Sequence, residues 1–139
     1  MRGTRIGIAG LIAGVVTFLV DYVMWGKVFT KGMDAFAVMP APGQPMNMGP
    51  MLMKSAGLCL LFGLFLAFVY HKFMGSLWVM GGGPLAGMEF ATVLWLPIAF
   101  QTTGGAVWYT KVKALFNATC WAWLARMLAA GLVLGLLVK

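Results

Sequence analysis

Four long apolar runs, parted by clusters of Gly, Pro and Lys, set the pattern of this chain. The first extends from Ile6 to Trp25 and carries no charge before Asp21. The second covers about Met51 to Tyr70, with Lys54 placed to snorkel outward near its start. The third covers Phe90 to Tyr109, with Glu89 at its entrance and Pro97 near its middle. The fourth, Asn117 to Val138, holds a single charge, Arg126, and ends at Lys139. Roughly twenty apolar residues cross a bilayer core of about 30 Å. The pattern therefore predicts one all-α, integral membrane domain over residues 1–139: a four-transmembrane-helix bundle with both termini on one side.

The connections differ in character. Trp108-Tyr109-Thr110-Lys111-Val112-Lys113 is short, which makes helices three and four antiparallel neighbours. Residues 26–50 form a longer link, rich in Met and Pro. Within it Phe29, Met33, Phe36 and Ala37 recur at helical spacing, opposite Thr30, Lys31 and Asp34, and predict a short interfacial helix between helices 1 and 2. Pro40, Pro42, Pro45 and Pro50, with Gly43 and Gly49, exclude regular structure after it. Gly81-Gly82-Gly83-Pro84 breaks the second link in the same way. The N-terminal Met1-Arg2-Gly3-Thr4-Arg5 has the charge of a signal peptide. The run that follows is too long for one and lacks a small-x-small cleavage site, so it reads as a retained helix.

Composition sharpens this picture. Hydrophobic residues make up 62% and charged residues 9%, against about 25% charged in a soluble domain. A chain of this size cannot bury so much apolar surface in one core, and the bilayer is its natural partner. The net charge of +7 then points to phosphate headgroups, because the bases flank the apolar runs; no nucleic-acid partner is expected. Arg2, Arg5, Lys72 and Lys139 fall on one side, and Lys27, Lys31, Lys54, Lys111 and Lys113 on the other. That balance leaves the first helix to decide. Arg2, Arg5 and the α-amino group outweigh Lys27 and Lys31, which favours cytoplasmic termini.

Chemistry concentrates at few positions. An arginine at the depth of Arg126 costs at least a few kcal/mol unless water or an anion meets it. At about 1.5 Å per residue, Asp21 lies about 8 Å from the midpoint of its span, towards the side where helix four begins. Side chains lean towards their own helix N-terminus, so the two converge. A structural intramembrane ion pair between Asp21 and Arg126 is the expectation, with a solute, proton or ion path as the alternative. Pro97 frees the carbonyl of Val93, and Gln101, Thr102 and Thr103 follow one turn later, outlining a possible polar cavity. Met46, Met48, Met51 and Met53, after Met33 and Met39, are soft thioether donors suited to Cu(I). Methionine is also an ordinary apolar filler, so no metal and no cofactor is expected. The single histidine, His71, closes the second span in Tyr70-His71-Lys72 and reads as a solvated interfacial imidazole. Cys59 and Cys120 both fall inside spans and suggest no disulfide. Gly3, Gly7, Gly10 and Gly14, and Gly131 with Gly135, give small-x-x-x-small faces that let helices approach. Trp25, Trp78, Trp108, Trp121 and Trp123 lie near span boundaries, where indoles anchor.

Asp21-Tyr22-Val23-Met24-Trp25-Gly26-Lys27-Val28-Phe29 resembles the aromatic-Trp-Gly-x-x-Phe exit of helix one in small bacterial four-helix membrane proteins of unknown function. Trp95 to Leu137, with Leu115-Phe116-Asn117 opening its last helix, is similar to their C-terminal half. The resemblance implies a fold and a bacterial inner (cytoplasmic) membrane, and transfers no activity. The residues form no nucleophile–base constellation, so no enzyme is expected. The expected function is that of a non-catalytic accessory or structural subunit in a larger membrane complex, partnered by other membrane subunits or by its own copies. The alternative is a transporter or binding protein for a small solute or ion, copper included.

Overall fold

The computed structural model describes residues 2–28, 48–79 and 82–138, and these are helical with short connecting turns. Helix α1 covers Arg2–Val23 and runs into a π-helical turn, Met24–Val28. Helix α2 covers Met48–Phe73 and closes in a 3₁₀ turn, Met74–Ser76. Helix α3 covers Pro84–Trp108; a second 3₁₀ turn, Thr110–Val112, leads into α4, Lys113–Leu137. Four stretches, Gly3–Val28, Leu52–Ser76, Pro84–Trp108 and Thr110–Leu137, are long and apolar enough to cross a membrane. The predicted all-α bundle with four candidate spans is what the structure holds. The interfacial helix expected around Phe29–Ala37 lies outside the described residues.

The third helix starts six residues before the expected Phe90. Its first turn holds Pro84, whose missing N–H costs nothing at a helix N-terminus. Gly82 and Gly83 before it adopt φ of 74° and 91°, a region open to glycine. Glu89 thus sits inside the helix rather than at its entrance. Its carboxylate accepts the backbone N–H of Trp78 at 2.7 Å and of Val79 at 2.8 Å, pinning the second link to α3. Glu89→Gln removes the charge and leaves one good acceptor for two donors. Exchange of the Trp78 and Val79 amides should then speed up about tenfold, the equivalent of about 1.5 kcal/mol for a charge-assisted bond at an interface. Unchanged exchange would show that the carboxylate does not hold the turn.

Helix α1 packs on both α2 and α4, and α3 packs chiefly on α4. Two crossings rest on glycine. Gly10 and Gly14 of α1 meet Gly63 of α2, where an added Cβ would overlap the Gly10 carbonyl and the Gly14 nitrogen. Gly87 of α3 meets Gly131 and Gly135 of α4 in the same way. With no hydrophobic drive between helices in lipid, such backbone approach is how they gain van der Waals contact. Gly3 and Gly7, the other expected pair, have open space beside them. Ala9, Ala13, Leu66, Ala67, Phe90, Met127, Ala130 and Leu134 fill the core from all four helices. Tyr70 is fully buried among them, edge-on to Phe90 at 5.2 Å, and its hydroxyl has no partner among the described residues.

Candidate functional site

Asp21 leaves α1 in its last turn and Arg126 leaves α4 near its middle. The antiparallel packing of α1 on α4 brings them to one depth. Arg126 Nε donates to Asp21 Oδ1 at 3.0 Å, and the Arg126 Nη2 end pairs with Oδ2. This two-pronged contact is the strong form of an arginine–carboxylate pair. The side chains keep 15% and 18% of their surface exposed, so the pair is largely but not wholly enclosed.

Trp123 completes the site. It stands one turn before Arg126 on the same face of α4, and the guanidinium carbon lies 4.2 Å from its ring centroid. The indole in turn meets Phe62 of α2 edge-on at 5.5 Å. One contiguous set of contacts thus links α1, α4 and α2. Sequence reasoning placed Trp123 at a membrane boundary. Because α4 starts at Lys113, Trp123 lies about 15 Å along the helix, at 1.5 Å per residue, and faces the bundle. The i, i+3 spacing of Trp123 and Arg126 was the available signal.

Two neighbouring groups steady the helices that carry the pair. Thr17, fully buried one turn before Asp21, donates its hydroxyl to the carbonyls of Ala13 and Gly14 at 2.6 and 3.0 Å. Trp95 Nε1 donates to the Cys120 carbonyl at 3.0 Å, tying α3 to α4. On the outer side of Asp21 a cleft of about 350 Å³ opens between the end of α1 and the start of α2, lined by Phe18, Asp21, Tyr22, Trp25, Leu52 and Ser55.

The other candidates are dispersed. Thr102 is buried, and its hydroxyl is used on the carbonyls of Ile98 and Ala99 in its own helix. Pro97, Gln101 and Thr103 are exposed on the outside of α3. Successive residues turn by about 100° on a helix, so residues 101–103 fan out rather than converge. Met46 lies outside the described residues, Met48 and Met51 fall in the first turn of α2, and Met53 is exposed. His71 is half-buried, with no partner for Nδ1 among the described residues.

Comparisons with protein families, curated proteins and solved structures gave no match.

Proposed function

We propose that this chain is a non-catalytic accessory or structural subunit of a larger membrane protein complex. The observation that carries the reading is the polar outer face of α3, where Gln101 is exposed about 8 Å from the middle of a helix that is otherwise apolar enough to span the bilayer. An exposed amide at that depth has no water to bond, and a protein neighbour is what meets it. The intramembrane charge supports the same reading: Arg126 has Asp21 and Trp123 for partners, so it demands no solute to balance it. The setting proposed is the bacterial inner membrane, with Arg2 and Arg5 keeping both termini cytoplasmic.

A second reading has one observation in its favour. The cleft beside Asp21 reaches a carboxylate that keeps some exposure, as a binding or transport site for a small solute or ion would. Purification of the tagged chain from native membranes in mild detergent separates the two. Other integral membrane proteins should co-purify in fixed stoichiometry. A preparation containing this chain alone, and carrying solute flux in proteoliposomes, would overturn the subunit reading in favour of transport.

A further inference from the structure

Five exposed residues, Val93, Pro97, Gln101, Gly104 and Trp108, follow one another along α3 at intervals of four, four, three and four. That spacing places them in one stripe along a flank of α3, about 100° round the helix from the face that Gly87, Ala91 and Trp95 present to α4. Three independent features of the stripe are unsuited to lipid. The Gln101 side chain makes no hydrogen bond among the described residues. Pro97 has no N–H, so the carbonyl of Val93 loses its usual partner four residues on. Gly104 has open space where a Cβ would stand, which leaves the backbone bare. Taking Leu96 as the middle of α3, the Val93 carbonyl and the Gln101 amide both lie within about 8 Å of the bilayer centre. Each polar group left unpaired there costs several kcal/mol.

We propose that this stripe is an interface with a second copy of the same chain, the two α3 helices lying side by side about a two-fold axis along the membrane normal. The proposal rests on the subunit reading in one respect: that protein rather than lipid covers α3. The choice of a second copy comes from the chemistry of the stripe. Two copies inserted with the same orientation bring identical residues together at identical depth. A surface can meet itself in this way only if its polar groups are self-complementary. A primary amide is self-complementary, because it carries both donor and acceptor. Lysine or aspartate at position 101 would have faced its own charge. Long side chains on a helix lean towards its N-terminus, so each Gln101 is directed to the level of Pro97, where the Val93 carbonyl lacks a donor. The amide N–H₂ of one copy can meet the Gln101 carbonyl oxygen or the Val93 carbonyl of the other. Gly104, one turn below, permits the backbone approach that such short bonds need.

Subunit counting by single-molecule photobleaching tests this, with the fluorescently tagged full-length chain in lipid vesicles over a range of protein-to-lipid ratios. A monomer–dimer equilibrium is expected. Gln101→Leu should weaken dimerisation roughly tenfold, the effect of losing interhelical hydrogen bonds in lipid. Gly104→Leu should weaken it too, through sterics alone, whereas Thr92→Leu, also exposed on α3 but off the stripe, should leave it unchanged. Both polar-to-Leu changes lie on an exposed surface, so thermal stability in micelles should hold and exclude misfolding. A chain that is monomeric at every ratio, or a dimer indifferent to Gln101→Leu, would overturn the proposal. Blue-native electrophoresis of membranes then shows which reading has failed. If the chain alone is monomeric but Gln101→Leu releases it from a larger native assembly, the second copy is wrong and the subunit reading stands. If neither dimer nor assembly responds, both fall.

Discussion

Arg126→Leu and Asp21→Leu are each expected to cost about 3–5 kcal/mol of stability, and the double Leu variant to recover most of that loss. Either single change leaves its partner ionised in a largely enclosed, low-dielectric setting, and an uncompensated buried charge is what carries a penalty of that size. Replacing the whole pair with apolar residues removes both desolvation costs along with the attraction, an exchange that is often neutral or favourable. The sign of the coupling is therefore the informative quantity. The bidentate geometry and the indole beneath Arg126 make the two singles unequal, since Arg126→Leu also removes the cation from the Trp123 ring, worth about 0.5–2 kcal/mol. Thermal unfolding in detergent and accumulation in membranes both report the effect. If the two losses simply add in the double variant, the charges are not partners. A double variant that is stable but no longer assembles with other subunits would assign the pair a role in function as well.

Gly87→Ala is expected to be nearly as damaging, although it adds one methyl group. That methyl would fall on the Gly131 carbonyl and 2.9 Å from the Gly135 nitrogen, so neither a rotamer change nor a flexible side chain relieves it. The helices must part, and α3 loses its approach to α4 over the whole crossing. Overpacking costs about 1–3 kcal/mol where side chains can adjust, and more is expected here because backbone must move. Gly57→Ala is the matched control. Nothing stands within 4 Å of a Cβ at Gly57, so the change should be neutral or stabilising by about 0.5–1 kcal/mol through helix propensity. The midpoint of thermal unfolding should fall for Gly87→Ala and hold or rise for Gly57→Ala. Equal stability of Gly87→Ala and wild type would mean that the close crossing is not formed.

These two sites were unequally legible in the sequence. Apolar runs long enough to cross a bilayer stand out on any reading, and the short Trp108–Lys113 connection dictated that α3 and α4 be neighbours. Asp21 and Arg126 were matched by depth because the membrane supplies a common ruler, which a soluble fold lacks. The glycine crossings were only half visible. Gly10 and Gly14 reveal themselves by spacing, but their counterpart Gly63 in α2 has no second glycine four residues away, only Ala67. Gly87 follows a Gly-Gly-Gly-Pro run that reads as a breaker, which hid both the early start of α3 and the glycine it presents to α4. Residues 101–103 show the opposite error. Adjacent polar residues suggest one wet spot along a line, whereas a helix turns them to different sides and leaves Gln101 and Thr103 outside.

The order of packing also has a consequence for how the chain is made. Two hairpins, α1 with α2 and α3 with α4, are each closed by their own glycine crossing and meet mainly through α1 and α4. The first hairpin enters the bilayer with Asp21 unanswered, because its counter-ion is carried on α4, two helices further along the chain. Until Arg126 arrives, the half-built protein holds a carboxylate without its counter-ion, best accommodated near the headgroups, where water and polar lipid groups can meet it. Docking of the second hairpin then supplies that group with the Arg126 guanidinium. Synthesis of the fourth helix is thus the step that commits the bundle, and a chain truncated before Arg126 would keep the α1–α2 hairpin and α3 with the Asp21 carboxylate unpaired.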